Sequence, residues 1–154
     1  MFNSQLVQQK IAMIFMIAVF FIIFDRFFKS LFLGNYFAGP VHIVGDSISL
    51  FFQSNYNIAF SLPVTGLFLN VFIIIILLSL LAHTIYLYKK KKINISVFLF
   101  IIIMGATSNL FDRLKYGFVV DYFNVSYFSV FNLADAVILF GVVMSLIFYD
   151  REKK

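Results

Sequence analysis

Hydrophobic residues crowd along this chain into long runs with few polar interruptions, not at the spaced positions of a soluble helix or strand. Four runs stand out, at residues 6–24, 66–88, 93–111 and 131–149. Each is close to the ~20 residues that an α-helix needs to cross the hydrocarbon core of a bilayer. In that solvent every peptide group must be paired inside its own segment, so the runs predict helices. A closed β-barrel would alternate apolar and polar positions, and Val71-Phe72-Ile73-Ile74-Ile75-Ile76-Leu77-Leu78 does not. The pattern therefore predicts an all-α membrane protein with four transmembrane helices.

The connections differ in character. Residues 25–65 are too many for a simple turn, and His42-Ile43-Val44-Gly45-Asp46-Ser47-Ile48-Ser49-Leu50 alternates as a strand does. Gly34, Gly39-Pro40 and Gly45-Asp46 punctuate this connection as turns. A small extracytoplasmic β-sheet between helices 1 and 2 is expected. Residues 114–130 mix aromatics with Asp121, Asn124, Ser126 and Ser129, which predicts a short interfacial segment between helices 3 and 4.

Composition strengthens the membrane assignment. The chain is 62% hydrophobic and 12% charged, with a mean hydropathy of +0.99, against about 45–50% and about 25% in soluble domains. Four spans use most of the 154 residues, so residues 1–154 read as one integral membrane domain. Lys10 ahead of the apolar residues 11–24 resembles a secretory signal, but Asp25-Arg26-Phe27-Phe28-Lys29 follows in place of a small-residue cleavage site. A retained first helix is expected. The absence of cysteine excludes a disulfide, a thiolate nucleophile and a Cys-ligated metal.

The formal charge of +5 does not point to nucleic acid. The basic residues stand in short blocks beside apolar runs, where anionic membrane lipids are the expected partner. Eight of the twelve (Lys10, Lys89, Lys90, Lys91, Lys92, Arg151, Lys153 and Lys154) fall on one side of a four-span topology. The positive-inside rule makes that side cytoplasmic and puts both termini there.

Five of the seven acids, Asp25, Asp46, Asp112, Asp121 and Asp135, then face outward. Helical spacing puts Asn109 on one face with Asp112 and Arg113, and Asn132 on one face with Asp135. Asp121 lies between these faces in the apolar setting Val119-Val120-Asp121-Tyr122-Phe123. Two carboxylates brought together at low dielectric cannot both ionise. The ionised one can take a proton from water while the protonated one polarises a carbonyl, which is aspartyl peptidase chemistry.

Other chemistries fit less well. Asp112 with Arg113 reads as an ion pair anchoring a helix end, although a guanidinium there could also bind a carbonyl or a lipid phosphate. Asn55, Asn109 and Asn132 could join helices by hydrogen bonds as well as bind substrate. His42 and His83 have no metal-ligand spacing, and Ser61 and Ser108 have no lysine in register for a Ser-Lys dyad. A small transporter would place its ionisable residue near the bilayer midplane, whereas these acids gather at one end of the spans.

Four ordered blocks now carry a family resemblance. They are Asp25-Arg26-Phe27-Phe28-Lys29, Asn55-Tyr56-Asn57-Ile58-Ala59-Phe60, Gly105-Ala106-Thr107-Ser108-Asn109-Leu110-Phe111-Asp112-Arg113, and Gly117-Phe118-Val119-Val120-Asp121-Tyr122-Phe123 followed by Phe131-Asn132-Leu133-Ala134-Asp135. In order and approximate spacing the chain resembles bacterial lipoprotein signal peptidase, also called signal peptidase II. The resemblance implies that Asp121 and Asp135 are the catalytic dyad and that Asn55, Gly105, Asn109, Arg113 and Asn132 shape the site or hold substrate. It implies a structural role for Asp25 and Lys29. It also implies an enzyme of the bacterial cytoplasmic membrane with its site near the outer face. The implied substrate is a prolipoprotein whose signal peptide is cut just before a diacylglyceryl-modified cysteine, and cyclic peptide inhibitors of the family are implied ligands. No metal or organic cofactor is implied. Asn57 and Ser108 stand where the family has Gly, and Ser129 where it has Pro; Asn tolerates a left-handed backbone and Ser still permits close helix packing.

Overall fold

The computed structural model describes residues 2–56 and 66–151; Asn57 and Ser61 lie outside the described residues. Helix α1 (Phe2–Leu33) is followed by strands β1 (Val41–Val44) and β2 (Ile48–Asn55). Helices α2 (Gly66–Lys89) and α3 (Ile93–Tyr116) come next, then β3 (Val119–Val125), β4 (Val130–Phe131) and helix α4 (Leu133–Arg151). The stretches Ile11–Leu33, Gly66–Lys89 and Ile93–Tyr116 are long and apolar enough to cross a membrane, and Leu133–Tyr149 is apolar but shorter.

Three boundaries differ from expectation; the fourth helix starts at Leu133 and not at Phe131, which lies in β4. The first helix does not give way to a connection at Asp25 but runs on to Leu33. The charges of Asp25 and Lys29 satisfy each other one helical turn apart, so they need no water and do not end the helix. The third helix likewise continues past Phe111 to Tyr116, where Gly117 takes a left-handed φ of 83° and donates its N–H to the Arg113 carbonyl. That cap turns the chain straight into β3.

The sheet is also larger than expected. Residues 119–125 are not a separate interfacial segment but a strand hydrogen-bonded to β2, giving one antiparallel sheet in the order β1-β2-β3-β4. Within it Gln53 stands opposite Asp121 and Asn55 opposite Val119, with a register shift between Leu50 and Gln53. The strand escaped the alternation test because Val119, Val120, Asp121 and Tyr122 are all buried. A strand covered on both faces has no polar side to reveal its period.

Helix α3 packs against each of the other three helices, and a cluster of Ala18, Phe98, Ile101 and Val137 joins it to α1 and α4. Two glycines set the α3–α4 distance. A methyl on Gly105 would lie 2.8 Å from the Ala134 carbonyl oxygen, and one on Gly141 would lie 3.0 Å from that of Phe98. The outer faces stay apolar: Phe72, Ile75 and Leu78 on α2 and Leu139 and Leu146 on α4 are exposed, as lipid-facing surface requires and as a soluble monomer avoids.

Candidate active site

The site forms where the ends of α3 and α4 meet the sheet. Asn132 immediately precedes α4, and its side-chain oxygen accepts the Asp135 backbone N–H at 2.9 Å while the Asp135 carboxylate accepts the Asn132 N–H at 3.2 Å. This reciprocal pair is a capping box with Asn and Asp in place of Ser and Glu. The expected shared face of Asn132 and Asp135 is thus a helix-start motif, and it aims both side chains at the end of α3.

Asp121 comes from the sheet. Alternation along β3 sends Val120 and Tyr122 to the α1 side, where Tyr122 stacks on Phe28 and Phe32, and sends Asp121 the other way. There one Asp121 oxygen accepts the Asn132 amide at 2.6 Å and the other accepts the Asn55 amide at 2.9 Å. Asn55 reaches it diagonally across the β2–β3 ladder. Asp135 accepts the Asn109 amide at 2.7 Å. Because Asn132 also donates to Asn109 at 3.2 Å, its amide links the surroundings of both carboxylates.

The orientation of Asn109 is dictated from α1. Lys29 can only donate, and its ammonium lies 2.9 Å from the Asn109 side-chain oxygen, so the NH2 group of Asn109 must face Asp135. The same ammonium contacts Asp25 at 2.9 Å and Asp112 at 2.8 Å, and all three side chains are fully buried. Asp25 further accepts the Tyr122 hydroxyl, the Ser108 hydroxyl and the Ala134 N–H at 3.0, 3.0 and 3.2 Å. One buried cluster therefore ties α1, α3, β3 and the first turn of α4 together directly behind Asp121 and Asp135.

Electrostatics distinguish Asp121 from an ordinary carboxylate. Burial, and next the negative charge of Asp135, push its pKa up from 3.8 to about 6, against the opposing pull of the Asn55 and Asn132 hydrogen bonds and of Lys29. The Tyr122 hydroxyl is pushed up by burial and by the neighbouring Asp25, so it stays a neutral donor to that carboxylate.

The residues singled out from sequence mostly converge. Asn55, Asn109, Asn132, Asp121 and Asp135 share one hydrogen-bonded network. Arg113, half-buried on the last turns of α3, lies within electrostatic reach of Asp135, Asp121 and Asp112. Gly105 touches the α4 backbone one residue before Asp135. The expected Asp112–Arg113 ion pair is corrected: among the described residues the ion-pair partners of Asp112 are Lys29 and Arg26 of α1, and its carboxylate also accepts the Val120 N–H at 3.4 Å. Burial decides this, since the fully enclosed carboxylate meets the cations of the facing helix. Sequence reasoning missed Arg26, Tyr122 and the hydroxyl of Ser108. Alternation from Asp121 could have assigned Tyr122 to the opposite strand face, but nothing local marks the other two.

Comparison with known proteins gives a consistent picture. The sequence model of the family Signal peptidase (SPase) II matches residues 17–150. A lipoprotein signal peptidase of Clostridium novyi is 32% identical over 150 residues, covering 90% of this chain and 98% of that protein. One of Halothermothrix orenii is 28% identical over 92% of this chain and 98% of its own length, and one of an Enterobacter species is 37% identical over 83% and 82%. Two solved structures, each described as a bacterial membrane enzyme, share the fold. Their TM-scores are 0.74 and 0.69 at 24% and 26% identity, covering 90% and 86% of this chain and 88% of each of theirs.

Proposed function

Since the chain belongs to the signal peptidase II family, a family of peptidases, we propose that it removes signal peptides from diacylglyceryl-modified prolipoproteins. It cuts just before the lipidated cysteine, by an aspartyl mechanism within the membrane. The observation that carries the mechanism is the pair of carboxylates held by Asn132: buried Asp121 from β3 accepts its side-chain amide, and half-buried Asp135 from α4 accepts its backbone N–H.

The pair titrates as a unit and holds one proton at neutral pH. The ionised carboxylate takes a proton from water as the water oxygen attacks the scissile carbonyl carbon. The protonated one donates to the carbonyl oxygen as negative charge grows there. Collapse of the tetrahedral species breaks the C–N bond, and the departing amine of the cysteine takes up a proton from the dyad. Asn55, Asn109 and Asn132 hold the carboxylates in register, and Arg113 offers a guanidinium to a substrate carbonyl or lipid phosphate beside them. Cyclic peptide inhibitors of the family would occupy the same place.

The topology supports sideways entry of the signal helix from lipid. Four spans with both termini in the cytoplasm put the lysines at residues 89–92 inside. Asn109 follows Lys92 by a helical rise of about 25 Å, nearly the ~30 Å thickness of the hydrocarbon core, so the dyad lies at the outer boundary of the bacterial cytoplasmic membrane. The test is cleavage of a diacylglyceryl prolipoprotein by wild type, Asp121→Asn and Asp135→Asn, with folding of each checked in detergent. Folded but inactive variants support the dyad, and near-normal activity of both refutes it.

A further inference from the structure

The lysine turn joins Tyr88 to Ile93, two residues that line the mouth of a cleft the peptidase mechanism does not use. Between α1 and α2, floored by α3, lies a cavity of about 510 Å3. Ile11 and Phe15 wall it from α1, Ile85 and Tyr88 from α2, and Val97 rises from its floor. Its Thr and Ser hydroxyls are turned to their own helices, Thr84 to the Leu80 carbonyl at 2.7 Å and Ser96 to the Lys92 carbonyl at 2.8 Å. Phe15 and Phe100 stack at 5.9 Å at the end away from the lysines. The Gln8 amide and the Tyr88 phenol, by contrast, belong to the end near them. The cleft thus grades from hydrocarbon to polar along the helix axes, and at about 30 Å3 per water-sized group it has room for much of one acyl chain.

The mouth carries concentrated positive charge. Lys89, Lys90 and Lys91 are exposed and Lys92 is half-buried, and none of the ion pairs among the described residues involves them. The turn is closed by the Lys91 N–H on the Tyr88 carbonyl and the Lys92 N–H on that of Leu87, at 2.9 and 3.0 Å. This is a Schellman cap whose left-handed position, normally glycine, is Lys91 at φ 61°. A lysine stands where glycine would be less strained, in a run of four lysines, and the Lys90 ammonium lies over the Tyr86 ring at 5.8 Å from its centroid.

We propose that the cleft holds an acyl chain of an anionic glycerophospholipid whose phosphate lies against the ammonium groups of Lys90, Lys91 and Lys92. Charge complementarity at the mouth and the apolar depth select this occupant over a zwitterionic lipid or a peptide. The proposal rests on the membrane assignment of the helices and not on the dyad chemistry. The test is native mass spectrometry of the full chain in detergent, titrated with phosphatidylglycerol or with phosphatidylcholine of the same acyl chains. Wild type is expected to retain the anionic lipid at least fivefold better. Lys90→Gln/Lys91→Gln/Lys92→Gln at the mouth, and Ala12→Phe filling the cleft, should each bring the ratio to within twofold. Equal retention of both lipids by wild type overturns the site. So does an unchanged preference in a folded Ala12→Phe protein, because the lysines would then attract anionic lipid without the cleft. Melting curves establish folding, and Ser96→Leu, which narrows the cleft from α3, replaces Ala12→Phe if that variant does not fold.

Discussion

Gly105→Ala tests whether the α3–α4 contact positions the dyad. The added methyl would meet the Ala134 carbonyl oxygen at 2.8 Å and Ile138 Cγ1 at 2.7 Å, and the first is backbone, so α4 must move. Overpacking of this kind costs ~1–3 kcal/mol, and replacing a mid-helix glycine returns up to ~1 kcal/mol. The net loss is at most about 2.5 kcal/mol, small enough for the protein to stay folded. The catalytic effect should be larger. Ala134 precedes Asp135, so the displacement falls on the 2.7 Å contact from Asn109 and on the Asn132 cap, and a ~1 Å misplacement at a reacting centre can cost about 10²-fold. Gly141→Ala is the control: its methyl is equally crowded, at 2.7 Å from Ile102 Cγ1 and 3.0 Å from the Phe98 carbonyl. It lies about 9 Å further along α4 at 1.5 Å per residue. Melting in detergent and single-turnover cleavage of a prolipoprotein should show similar destabilisation in the two variants and a much slower chemical step in Gly105→Ala alone. Equal rates in the two folded variants would refute the positioning role of this contact.

Three further outcomes follow from the site. Lys29→Met removes the sole ammonium of the buried cluster and leaves Asp25 and Asp112 enclosed, so denaturation should show a loss of ~3–5 kcal/mol. Adding Asp112→Asn should recover part of it, and simple additivity of the two would contradict the cluster. The raised Asp121 pKa has a signed consequence. The stabilisation of its neutral form is complete below the unfolded value of 3.8 and is lost as pH climbs through about 6. Wild type should therefore lose up to about 3 kcal/mol of stability relative to Asp121→Asn between about pH 4 and about pH 7, and a pH-independent difference in melting temperature would disprove it. Asn55→Ala deletes a hydrogen bond that favours the Asp121 carboxylate, so the acid limb of the pH–rate profile should move upward while the protein remains in the membrane. A superimposable profile would exclude Asn55 from the site.

Much of this protein is decided locally and can be read without a structure. Hydropathy over ~20 residues selects membrane helices because the bilayer acts on each segment separately. The Asn132–Asp135 spacing is a helix-start motif that forms wherever the chain enters a helix there. The isolation of Asp121 among apolar residues already marks it as a carboxylate that burial will perturb.

What remained hidden depends on partners far along the chain. Asn55 meets Asp121 across 66 positions, Lys29 meets Asn109 across 80, and the Ala134 N–H meets Asp25 across 109. No local pattern specifies such pairs. The extension of α1 through Asp25 and Lys29 was illegible for the same reason, since a charged turn ends a membrane helix in lipid but continues it when Asp112 and Asn109 of α3 receive the charge. Joining β3 to β2 was likewise a tertiary outcome: burial on both faces erased its alternation, and only the folded bundle brought the two strands side by side and Asp121 within electrostatic reach of Asp135.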